Sequence, residues 1–171
     1  MGDVFKEQIV KRKQTPKDAA IRICLIVLVG LIFFAAIAIG LGQFSVIIVA
    51  VAGFGAAYLM SYLRVEYEYV FTNGELDIDA IYNRSRRKRV FSAHVNEIEI
   101  MAHVEDNVHA GELSHYQDMK DYSSGESTPN TYAFLINYKT KRTKIIIEPN
   151  EKMLKAISGV LTRRKLHIRQ S

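Results

Sequence analysis

The chain changes its hydrophobic patterning twice. From 23 to 63 it is apolar or small almost without interruption, and none of the 41 residues between Arg22 and Arg64 is charged. After Arg64 apolar and polar positions alternate with period two, and after Pro149 the spacing becomes helical. An apolar run of more than about 18 residues reads as a membrane span. One helix over the whole run would be about 60 Å long, twice the thickness of a hydrocarbon core, so a break is required. Gly40-Leu41-Gly42-Gln43-Phe44-Ser45 supplies it. The pattern predicts a helical hairpin with spans at about 23–40 and 46–63. Ala36 with Gly40, and Gly53 with Ala57, place small residues four apart, where helices in lipid pack closely.

In the second regime Val65, Tyr67, Tyr69 and Phe71 share one face of a strand, against Glu66, Glu68 and Thr72. Leu76, Ile78, Ala80 and Tyr82 alternate in the same way with Glu75, Asp77 and Asp79. Asn73-Gly74 between them is a strong hairpin signal. Further strands are expected at 87–93, 95–103, 131–139 and 142–148. Asn150 is a candidate cap for a helix with Met153, Leu154, Ile157, Val160 and Leu161 on one face. Glu151 at its start and Arg163, Arg164 and Lys165 at its end suit the helix dipole. The expected fold is α+β: a transmembrane hairpin, then a small β-barrel or curved antiparallel sheet capped by a C-terminal helix, over 64–171. The stretch 104–130, with six acids and one lysine, fits neither period, and a loop this long is functional or disordered.

Charge orients the hairpin. Lys6, Lys11, Arg12, Lys13, Lys17 and Arg22 precede it and its tip carries none. Positive residues stay on the cytoplasmic side, so 1–22 reads as a basic cytoplasmic segment, and both termini are expected in the cytoplasm of a cell-membrane protein. Ala36-Ile37-Ala38 has the form of a signal-peptide cleavage site, but the leader is long and the apolar run continues past it. The one cysteine, Cys24, excludes an internal disulfide.

Candidate chemistry is sparse. Arg84, Arg86, Arg87, Lys88 and Arg89 surround Ser85 in a run of five cations in six residues. They read either as a patch for membrane lipids or an acidic partner, or as a turn that neutralises Glu68, Asp77 and Asp79. His103, Glu105, His109, Glu112 and His115 are metal-ligating types at a spacing that suits no metal motif. No cofactor is expected, and no activated nucleophile or phosphate loop is evident. Residues 64–171 carry 17 Lys and Arg against 15 Asp and Glu, too balanced for nucleic-acid binding. The function expected is a non-catalytic module that captures a protein or peptide beside the membrane. The alternatives are anionic-lipid sensing by the basic hairpin, and an enzyme or accessory subunit using the His/acid segment.

The two spans, the aromatic strand Tyr67-Glu68-Tyr69-Val70-Phe71-Thr72-Asn73-Gly74-Glu75-Leu76, the basic hairpin and the final helix together resemble bacterial membrane proteins with a PH-like domain. More narrowly, Asp121-Tyr122-Ser123-Ser124-Gly125 and Glu148-Pro149-Asn150-Glu151 make the chain similar to a Firmicutes family of two-span proteins of uncharacterised activity. The resemblance implies a seven-stranded, helix-capped barrel in a bacterial cell membrane, and no reaction. Phosphoinositide-binding PH domains carry cations between their first two strands, where this chain has Asn73-Gly74 beside Glu75.

Overall fold

The computed structural model describes residues 4–161 and 166–167. In chain order its elements are β1 (Phe5–Lys11), α1 (Pro16–Ala38), α2 (Phe44–Ser61), β2 (Val65–Thr72), β3 (Glu75–Tyr82), β4 (Arg86–His94), β5 (Ile98–His103), α3 (Ala110–Leu113), β6 (Asp118–Asp121), β7 (Tyr132–Tyr138), β8 (Lys141–Ile147), α4 (Glu151–Val160) and β9 (Leu166–His167). Two compact units result. One comprises the described residues of Met1–Lys13, Glu66–Ile81 and Arg87–Ser171, the other Gln14–Val65 with Tyr82–Arg86.

The helical unit begins earlier than the uncharged run. Pro16 occupies the first turn of α1, the Asp18 amide donates to Thr15 Oγ1 at 3.3 Å, and the Thr15 amide donates to Asp18 Oδ2 at 2.8 Å. This capping box satisfies two amides that a helix start otherwise leaves open. Gly40, at φ +77°, ends the helix: its amide donates to Ile37 O at 2.9 Å and the Leu41 amide to Ala36 O at 3.2 Å. That Schellman pattern needs a left-handed residue at the position Gly40 fills. Only 6 % of the most apolar window of α1, and of α2, is buried. Both helices are long and apolar enough to cross a membrane, and they turn their apolar surface outward, unlike the core helices of a soluble domain. Ala36 and Ala56 are buried while Ala57 is exposed. The close-packing positions are therefore partly corrected: Ala56 replaces Ala57, and Gly40 serves the turn.

The other unit is a two-sheet sandwich. Its first sheet has the order β1-β2-β3-β4 and its second β6-β8-β7-β5-β9. The turn Asn73-Gly74 has φ of +50° and +98°, as a two-residue hairpin turn requires. A Cβ on Gly74 would lie 2.7 Å from His94 Nε2. Tyr69, Phe71, Leu76, Ile78 and Phe91 of the first sheet meet Met101, Phe134, Ile136, Ile145 and Ile147 of the second in one core. The helix α4 closes it with Met153, Ile157 and Leu161, and the Met153 amide donates to Asn150 Oδ1 at 2.8 Å. The outer face of the second sheet is covered too, since Leu113 of α3 packs with Ile100, Ala102, Ala133 and Leu135. This explains why five consecutive residues of β7, Tyr132–Ile136, are buried.

Three expectations are corrected. The seven-stranded barrel gives way to nine strands among the described residues, in two sheets that do not close. The second sheet is mixed, with β6 parallel to β8 and β5 parallel to β9. The expected strand 95–103 starts at Ile98, because the His94 ring accepts from the Asn96 amide at 3.2 Å and turns Val95–Glu97 into a 3-10 helix. The segment 1–22, expected as a basic stretch, also contains a strand. Its residues Phe5–Lys11 pair antiparallel with the whole of β2, from Phe5 opposite Thr72 to Lys11 opposite Glu66. Cleavage after Ala38 would thus remove a strand of the sheet. The basic run Arg163-Arg164-Lys165 lies outside the described residues.

Candidate functional site

The basic hairpin forms where expected, but its cations are not alike. Asn83 and Arg84, at φ +50° and +57°, make the turn between β3 and β4. Along β4 side chains alternate in direction. Arg87 Nη2 lies 2.8 Å from Glu68, whose side chain is 2 % exposed. Arg89 reaches Asp77 at 2.7 Å and also bonds Asp79. These two arginines therefore compensate buried acids. Burial raises the Glu68 carboxyl above its ordinary range, the Glu7 carboxyl adds to the rise, and Arg87 opposes it. Arg86 donates to Tyr62 Oη at 3.2 Å, within the helical unit. Lys88 is exposed. Arg84 is exposed as well, at the tip of the turn.

The two motifs that carry the family resemblance meet in space. The Glu148 carboxylate accepts from the Ser124 amide at 3.1 Å and from Thr128 Oγ1 at 2.9 Å. Tyr69 Oη donates to Tyr122 O at 2.6 Å and accepts from the Glu148 amide at 3.2 Å, and burial raises this phenol far above its ordinary value. Gln8 of β1 completes the cluster by donating to Glu148 O at 2.8 Å and accepting from the Asn150 amide at 2.7 Å. The Lys13 amide donates to Ser124 O at 2.7 Å, and Lys13 Nζ pairs with Glu126. The contacts of Tyr122, Ser124, Glu126 and Thr128 tie the 104–130 segment to the sandwich. It is architecture.

The segment 104–130 is thereby ordered, with α3 and β6 inside it. His103 is buried, and its Nδ1 accepts from the Glu105 amide at 3.2 Å while Nε2 lies 3.1 Å from Thr128 O. Both ring nitrogens are thus engaged. His109 Nδ1 lies 2.8 Å from Asp106, which it holds below the usual carboxylate range, and its ring stacks on His167 at 3.6 Å. His115 Nδ1 is 2.8 Å from Gly111 O. Among the described residues no three His, Cys, Asp or Glu side chains converge as a metal set. A recess of about 430 Å³ opens beside His103, Glu105, Asp106, Asn107 and Val108, and Val108 is 84 % exposed. Val108 is not among the residues expected from sequence, although an apolar residue after Glu105-Asp106-Asn107 is a readable signal.

A second feature without a sequence motif lies in the helical unit. Arg22, Ala57, Met60, Ser61, Arg64 and Asn83 line a recess of about 360 Å³. The Asn83 amide donates to Arg64 O at 3.1 Å, which fixes the β3–β4 turn beside the end of α2. No motif spacing links Arg22 to Arg64, though they are the charged residues that bound the apolar run on its two sides.

No curated protein and no solved structure matches the chain. The aromatic first strands, the open two-sheet sandwich with its closing helix, and the meeting of the two motifs agree with a family comparison that spans residues 2–167: the chain belongs to the family described as Bacterial PH-like domain (DUF6106).

Proposed function

We propose that this protein is a membrane-anchored, non-catalytic binding module, with both termini cytoplasmic, that captures a protein or peptide beside the membrane. PH-like domains commonly act as binding modules and are generally non-catalytic. The basic flank before α1 and the uncharged turn after it support the orientation. The observation that carries the reading is the recess at His103, Glu105, Asp106, Asn107 and Val108. An exposed valine beside carboxylates, on a segment held by the sandwich, suits a partner segment that mixes basic and apolar residues. A second reading, contact with anionic lipid through Arg84, Arg86, Arg87, Lys88 and Arg89, draws on the exposure of Lys88 and Arg84. The enzyme reading has less behind it, because both nitrogens of His103 are engaged.

The test is a photo-crosslinking residue placed at Val108 in native membranes, with Thr140 as the control position. One discrete protein adduct is expected at Val108, absent at Thr140 and diminished by Glu105→Lys. Identical adducts at both positions, or none at Val108, would count against partner capture by this recess.

A further inference from the structure

We infer that Arg22 and Arg64 form a binding site for the phosphate of an anionic membrane phospholipid. The inference rests on the reading that α1 and α2 span the membrane, and it concerns a different site from the recess at Val108.

The two arginines are the first charged residues on either side of the 41-residue uncharged run, so each stands where that run meets water. They converge on one recess of about 360 Å³, wholly within the helical unit, with Ser61 and Asn83 as further polar lining and Ala57 and Met60 as apolar lining. A phospholipid presents the same combination: a phosphate at the water boundary and hydrocarbon directly below it.

Neither guanidinium has an acidic partner among the described residues. Arg22 donates to Gln14 Oε1 at 2.5 Å, a contact that orients the group and leaves its charge uncompensated. The carbonyls at the end of α2 do not compete for the arginines, since Leu59, Met60 and Ser61 accept from the amides of Tyr62, Leu63 and Arg64 at 3.1, 3.2 and 3.3 Å. Two arginines lining one space can supply the paired, charge-assisted donors that phosphate oxygens accept most strongly. An adjoining recess of about 160 Å³ shares Ser61 and Asn83 and brings in Arg86, whose bond to Tyr62 Oη aims it there.

The experiment uses the full chain in nanodiscs of zwitterionic lipid, doped with phosphatidylglycerol, and reads lipid retention by native mass spectrometry. Wild type is expected to retain the anionic lipid in preference to the zwitterionic one. Arg22→Gln/Arg64→Gln should lower that preference at least about tenfold, as loss of charge-assisted contacts does. Asn83→Asp keeps both arginines and a residue type that tolerates positive φ, yet places a carboxylate in the recess; it should lower the preference similarly. Inorganic phosphate in excess should displace little lipid, because it lacks the acyl chains. Unchanged preference in both variants would overturn the proposal. Displacement by inorganic phosphate at equal concentration would overturn the lipid assignment, and loss of preference only in Arg84→Gln/Lys88→Gln would overturn the recess in favour of the hairpin tip. Crosslinking at Val108 is read separately, so failure of either idea leaves the other standing.

Discussion

The arginines of β4 and those that bound the apolar run are chemically the same and positioned to opposite effect. Arg87 and Arg89 lie in the densest cationic stretch of the chain, and both are tied to buried or half-buried acids, Glu68, Asp77 and Asp79. Arg22 and Arg64 are far apart in sequence, yet they line one recess that no acid among the described residues lines. Charge density along a sequence therefore does not measure availability. A guanidinium already paired offers little to a ligand, because a new anion must first displace a carboxylate that would be left desolvated.

Three substitutions probe that contrast. The largest effect is expected from Arg89→Gln, which strands Asp77 and Asp79, the latter with a side chain only 8 % exposed. A loss of about 2 kcal/mol follows, below the figure for a fully buried pair because Arg89 itself is half exposed. In thermal unfolding of the full chain that is a drop of roughly 4–8 °C, with lipid retention intact. An unchanged melting temperature would dissolve the contrast.

Next comes Glu68→Gln. A carboxyl whose folded pKa is raised destabilises the folded state when ionised, so its cost is present above the folded pKa and is relieved as the pH falls through it. The variant should therefore melt higher at pH 7.5, by about 1 kcal/mol in stability, since the half-exposed Arg87 can turn to water. The gain should vanish below the ordinary glutamate value of 4.5. A difference that stays constant with pH would show that Glu68 is not held above its ordinary range. The smallest effect belongs to Lys88→Gln: this side chain is exposed and no acid is paired with it among the described residues, so stability should move by less than about 0.5 kcal/mol.

What the sequence discloses tracks the range of the interactions involved. The helical hairpin, the Asn73-Gly74 turn and the Asn150-capped α4 are specified by neighbouring residues, and all three appear in the structure. The strand β1 was not legible, because Phe5-Lys6-Glu7-Gln8-Ile9-Val10-Lys11 buries only Val10 and owes its conformation to a partner on the far side of two helices. Thr15-Pro16-Lys17-Asp18, however, is a readable capping box and could have moved the start of α1 to Pro16. The four-residue β6 has no alternation of its own and exists through its pairing with β8. The Arg22–Arg64 recess left no mark because it is made by the return of the chain.

The pairing of β1 with β2 has a consequence for biogenesis. During synthesis the first strand emerges before the helices and its partner after them, so the sheet cannot close until the intervening hairpin has been delivered to its own environment. Maturation of the PH-like domain is thereby made conditional on placement of the helices: a chain whose helices stall holds β2 with an open edge, a substrate for quality control. The fragment 64–171 lacks β1 and would stay at that unfinished stage. Supplying 4–13 through a short artificial loop restores the missing edge.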